Sequence, residues 1–193
     1  MLEVIWKTLY RIVLTVGIYF TAAGFVGFIS LAVSAEGAFD FLGSSVEWPM
    51  GYSQGVAQTA DGHRIAINEM AGRVQYYDKD WKFLWGMRID SGGGIFKITA
   101  VKENRFELVT ARLNNLYVID FNGKVLAKGN YPESVWYNQF GNVGSPAWVP
   151  TYFFLIPFAS PYLAFLSIFA GAMLLILVAN VLRGRAQRDS NQQ

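Results

Sequence analysis

Two stretches without a single charged side chain constrain this sequence more than any other feature. No Lys, Arg, Asp or Glu occurs from residue 12 to 35, and none from residue 134 to 182. At 1.5 Å per residue, a helix over 12–35 covers the roughly 30 Å hydrocarbon core of a bilayer. The second stretch holds an apolar core of the same kind from Pro161 to Leu182, closed by Arg183, Arg185 and Arg188. Between the two, polarity is ordinary, so the overall charged fraction of 16% averages a membrane protein with a water-soluble insert.

The first run competes with a cleaved secretory signal. Lys7 and Arg11 make a plausible basic start, and Val33, Ser34 and Ala35 resemble a small-residue cleavage site. A signal core is about 7–15 residues, far shorter than this run, so it reads as a retained anchor with the mature chain starting at or near Met1. Ahead of the second span, Pro150, Pro157 and Pro161 forbid one long helix. Residues 147–160, with Trp148 and Tyr152, therefore read as an interfacial aromatic segment leading into it.

Flanking charge sets the expected direction. Lys7 and Arg11 precede the first span and three arginines follow the second. The loop side carries no Lys or Arg before Arg64, nor between Lys128 and Arg183. The positive-inside rule places both termini in the cytoplasm. The expected division is a cytoplasmic N-terminus (1–11), transmembrane helix 1 (12–35), a linker (36–55), an extracytoplasmic β domain (56–146), the interfacial segment (147–160), transmembrane helix 2 (161–182) and a cytoplasmic tail (183–193). The location implied is the cell membrane (plasma or inner), the β domain being periplasmic in a Gram-negative cell.

Neither span contains an ionisable group, so ion paths, proton relays and voltage sensing are not expected from this chain alone. Small residues recur three or four apart: Gly17, Thr21, Gly24 and Gly27 in the first span, Ala164, Ser167 and Gly171 in the second. Such spacing lets helix backbones approach closely, and these positions are the candidate helix-packing residues. The alternative is that they are the ordinary small-residue content of membrane helices.

From residue 56 to 128 the texture changes to short alternating runs between turn residues, the pattern of an all-β unit. Ile65 and Ile67 alternate with Arg64, Ala66 and Asn68; Leu116 and Val118 alternate with Asn115, Tyr117 and Ile119. Sliding the segment by 42 residues lays residues 61–68 on 103–110 and 73–84 on 115–126, with Asp78 on Asp120, Lys82 on Lys124 and Leu84 on Leu126. Each unit runs strand, Asp, turn, Lys, strand, and an Asp side chain in that place can bond the turn backbone. Two units are expected, at about 56–97 and 98–139.

The stretch Arg73, Val74, Gln75, Tyr76, Tyr77, Asp78, Lys79, Asp80, Trp81, Lys82, Phe83, Leu84 resembles the strand–turn–strand core of NHL-type β-propeller repeats. It departs from that pattern at Trp81, where a turn Gly is usual, and at Ala71, where Asn is usual; the second unit has Gly123 but Asn115 in place of Arg. The resemblance implies a blade-like fold and a binding role in preference to catalysis. The fold class expected is thus two transmembrane α-helices flanking an all-β domain of two blade-like antiparallel repeats. Two blades do not close a propeller. Either three or four chains complete a ring, another protein docks, or the repeats form a small self-contained sandwich.

Chemistry-bearing constellations are scarce. His63 is the single histidine and lies in the turn 61–63, where a solvated role is expected; cysteine is absent. No metal site, cofactor or catalytic residue is assigned, and the chain is not expected to be an enzyme. Asp78 and Asp80 resemble no calcium loop. Ser91, Gly92, Gly93 and Gly94 lack the Lys and Ser/Thr of a phosphate loop and read as a flexible connection. A net charge of +2 with interleaved signs predicts no nucleic-acid partner. Tyr131, Trp136, Tyr137, Phe140 and Trp148 are either core or an interface with lipid or another subunit. The short cytoplasmic ends leave no room for a signalling domain. The functional expectation is a non-catalytic accessory or scaffold subunit of a membrane assembly, with membrane lipids and other integral subunits, or further copies of itself, as partners. A receptor-like module for an extracytoplasmic peptide, glycan or small ligand is the alternative.

Overall fold

The first uncharged run and the 161–182 part of the second form helices, and both helices extend beyond these spans. The computed structural model of the protein describes residues 2–35, 37, 38, 41 and 43–190. Helix α1 covers Leu2–Ala35 and α2 covers Pro161–Ser190. Within them Val4–Ser34 and Pro161–Gly184 are long and apolar enough to cross a membrane. Large apolar side chains such as Phe25, Ile29, Phe169 and Met173 point outward from both helices. A surface of that kind fits hydrocarbon and not water.

Among the described residues nine strands lie between the helices: β1 (Tyr52–Gln58), β2 (Arg64–Asn68), β3 (Arg73–Tyr77), β4 (Phe83–Arg88), β5 (Phe96–Lys102), β6 (Arg105–Thr110), β7 (Asn115–Asp120), β8 (Val125–Asn130) and β9 (Ser145–Trp148). They form two antiparallel sheets, ordered β4-β3-β2-β1-β9 and β5-β6-β7-β8. The 42-residue offset carries β3 onto β7 and β4 onto β8. Local bonding repeats as well. The Asp78 carboxylate accepts the backbone N–H groups of Asp80 and Lys82, at 2.8 Å each. Asp120 accepts those of Asn122 and Lys124, at 2.9 and 2.8 Å. The turn position occupied by Gly123 at φ 83 is held in the first unit by Trp81 at φ 65. That left-handed backbone is costly for a residue with a Cβ, and the Trp81 ring is fixed there by the Arg64 guanidinium, 4.6 Å from its centroid, and by the edge of Tyr77.

The alternation of side chains decides what the sheets bury. Ile65, Ile67, Val74 and Tyr76 of the first sheet pack against Phe96, Ile98, Phe106, Leu108 and Ile119 of the second in one core. The Tyr76 ring lies nearly parallel to those of Trp85 and Phe121, with centroids at 5.6 and 5.5 Å, and to that of His63 at 5.4 Å. His63 is therefore a cap on an aromatic column as well as a turn residue; the expectation of simple solvation missed the stacking, because its partner is distant in sequence.

The far face of the first sheet is covered too. Met50 and Val149 pack there on Ala66 and Tyr77, so β3 is buried along its whole length. The segment expected as a free linker, 36–55, is thus structural in much of its described part. Its residues lie on the sheet, with the Gly86 N–H bonded to the Ser44 carbonyl at 2.8 Å, and β1 begins at Tyr52. Sheet structure also extends past residue 146, through β9 to Trp148. β9 pairs with β1, Tyr52 opposite Trp148, and the Val143 N–H just before it bonds the Ile98 carbonyl on β5 at 3.0 Å. One returning segment covers the leading strands of both sheets. The glycine-rich connection is packed against the β6–β7 loop: Arg112 donates to the Gly92 carbonyl at 3.2 Å.

Candidate functional site: the groove at the helix–sheet junction

The helix hairpin is built on small residues. α1 and α2 run antiparallel, with Gly17 against Gly171 and Leu175, Gly24 against Ala164 and Ile168, and Gly27 against Pro157. A Cβ added at Gly24 would stand 2.7 Å from the Ala164 carbonyl oxygen, and one at Gly171 would stand 2.6 Å from the Thr21 backbone nitrogen. Ala164 and Ser167 are buried in the same seam. The Thr21 hydroxyl donates to the Gly17 carbonyl at 2.9 Å and the Ser167 hydroxyl to that of Leu163 at 2.7 Å, so neither polar group is left bare in an apolar setting. Gly17, Thr21, Gly24, Ala164 and Gly171 meet between the two helices, Gly27 meets Pro157, and Ser167 is buried on α2.

The β domain is seated on the open end of this hairpin. Leu31 of α1, Trp48 and Ala71 of the β2–β3 turn form a buried cluster. The Ser34 hydroxyl donates to the Ala71 carbonyl at 3.0 Å, and the Asn68 side-chain amide donates to the Ala159 carbonyl at 3.0 Å. The Asn68 side-chain oxygen accepts the Ala71 N–H at 2.9 Å, which shapes the turn. Gly51, at φ 57, lets the chain pass where a Cβ would meet that of Ala159 at 2.8 Å.

Beside these contacts the junction leaves a groove of about 960 Å³. Phe28, Leu163, Phe165, Leu166 and Phe169 form its wall on the helices; Tyr52, Gln54, Ile67, Glu69, Met70 and Trp148 form it on the β domain. Glu69 is the one acidic or basic side chain in this lining. Burial raises its carboxyl above the ordinary carboxylate range. The Tyr137 phenol is pushed up to about 12, first by burial and then by the charge of Glu69. Tyr52, Trp148 and Tyr162 are exposed aromatic side chains of this lining.

The sequence matches no protein-family model and no curated protein.

Of the candidate interface aromatics, Trp136 and Trp148 are exposed, Trp148 on the groove. Tyr131 is buried, its hydroxyl donating to the Thr110 carbonyl at 2.8 Å, and Phe140 packs edge-on against it at 4.9 Å. Tyr137 lies beneath the Lys97 ammonium, 4.2 Å from the ring centroid. These three lie against Lys97 of β5 and Thr110 of β6. The last strand of the second sheet, β8, has no strand on its outer side and is exposed at all six residues, among them Val125 and Leu126. Among the described residues no group of three His, Asp or Glu side chains converges on a metal-sized site. Glu69 and the groove are not legible in the sequence, since the walls come from five separated segments: α1, β1, β2 with its turn, β9 and α2. The only linear hint is a Glu beside an apolar Met in a turn.

Proposed function

We propose that the chain is a membrane-anchored, non-catalytic interaction subunit, with both ends in the cytoplasm and the β domain outside. The observation that carries this reading is the contrast between covered and open parts of the β domain. Segments 44–51 and 149 cover the far face of the first sheet, residues 131–140 lie against Lys97 and Thr110 of the second, and β9 closes the edge of β1. The edge of β8 alone is exposed over its whole length while carrying Val125 and Leu126. An edge with unpaired backbone groups and apolar side chains accepts an added strand. Lys124 precedes it and Lys128 lies within it, and both restrain indiscriminate pairing. A ring of three or four chains stacks sheets face to face, and here those faces carry the chain's own segments. Strand addition at β8, by another membrane subunit or a second copy, is the favoured geometry.

The test is native-mass measurement of the gently solubilised full-length protein, paired with a photo-cross-linking residue at position 126 in the native membrane. A discrete adduct at 126, abolished by Val125→Asp at unchanged thermal stability, is expected. A strictly monomeric mass with no adduct would remove the reading.

A further inference from the structure

We propose that the junction groove is a lipid site, holding an acyl chain of a phospholipid whose primary ammonium head group pairs with Glu69. The groove joins two chemical environments. Phe165 and Phe169 stand four and eight residues beyond Pro161, about 6 and 12 Å along the α2 axis, so this wall faces hydrocarbon. At the other end the groove stops against the β domain at Tyr52, Trp148 and Glu69. This level is fixed by the bonds of the same turn to Ser34 and Ala159, at the ends of the two apolar helices. A membrane-spanning helix of a partner would run into that end wall. A lipid finishes there in its head group.

Charge selects the class of lipid. Glu69 is half-buried, has no ion-pair partner among the described residues, and its carboxyl is raised by burial. A primary ammonium supplies both the missing counter-charge and N–H donors, whereas choline supplies no donor and a glycerol head group no positive charge. No Lys or Arg lines the groove to receive an anionic lipid. Gln54 and Tyr52 offer neutral donors for the adjoining phosphate. The volume lies within the roughly 300–1,000 Å³ of small-ligand sites. The exposed aromatic side chains at the rim are of the type that prefers the head-group level. This inference goes beyond the proposed role of β8 and uses none of its residues.

The experiment uses the full-length protein in vesicles of phosphatidylglycerol doped with phosphatidylethanolamine or phosphatidylcholine, each carrying a photoreactive acyl chain. Labelling of the peptides spanning residues 52–70 and 159–169 is expected to favour phosphatidylethanolamine about fivefold, a partly screened version of one charged hydrogen bond. Glu69→Gln should erase that preference without lowering the melting temperature. Leu166→Trp should lower labelling by every lipid by filling the groove. Equal labelling by the two doped lipids in the wild type, or labels spread evenly along both helices, would overturn the assignment. So would a protein adduct, in place of a lipid adduct, from a photoreactive residue at position 166.

Discussion

The side-chain amide of Gln75 bonds both backbone groups of Trp48. Its oxygen accepts the Trp48 N–H at 2.5 Å, and its nitrogen donates to the Trp48 carbonyl at 2.9 Å and to the Tyr77 hydroxyl at 2.8 Å. Gln75 is fully buried on β3. This pairing holds the covering segment on the first sheet in the manner of an added strand. Gln75→Met keeps the volume but leaves two buried backbone groups without partners, at about 1–3 kcal/mol each. Thermal or chemical unfolding of the purified protein should show a loss of that size, together with earlier proteolysis near residue 48.

The helix seam has no space for a side chain at Gly24. Gly24→Leu would force the backbones of α1 and α2 apart at Ala164. The expected cost is about 1–3 kcal/mol, read as a lower melting temperature in mild detergent. Gly43→Leu is the control, since nothing lies within 4 Å of its Cβ position.

Glu69 predicts a pH dependence of definite sign. Its carboxyl pKa is raised by burial, so the folded state keeps a proton that the unfolded chain has already released. Stability falls as pH rises from the ordinary carboxylate value through the raised one, and the loss is complete above it. Glu69→Gln should melt above the wild type at neutral pH and level with it in acid, below about pH 4. The measurement is a melting series in a detergent without ammonium groups.

The direction of the hairpin is open to chemical labelling, because the natural chain has no cysteine. A single cysteine at Glu103, in the β5–β6 turn, should react with an impermeant maleimide in intact cells. One at Ser190 should react only after the membrane is opened. Labelling of the Glu103→Cys chain only after opening would reverse the proposed orientation.

Much of this architecture was readable from one dimension. The helices follow from uninterrupted apolar runs, whose signal is local. The strands of the repeats follow from alternation, and the matching turns at Asp78 and Asp120 from an Asp that bonds the two N–H groups just beyond it. The small residues of the helices were legible for a similar reason: their spacing of three and four is itself a helix face. Segments with no periodicity were read less well, as with 44–51, which lacks alternation yet lies along a sheet because Gln75 offers it strand-like bonds.

Chain pattern alone determined the elements of this protein, their order, the offset of 42 that relates them and the surfaces that avoid water. Each of these depends on neighbours within a few residues, or on composition over a helix length. The tertiary structure decided what those elements meet. It set His63 on Tyr76, β9 on β1, and the turn at Asn68 on the ends of both helices. It also set Glu69 beside Phe165 and Trp148, where burial changes a carboxylate that looks ordinary in the sequence. Such contacts join residues up to about a hundred positions apart, and their energies come from desolvation and close approach, which no local pattern encodes.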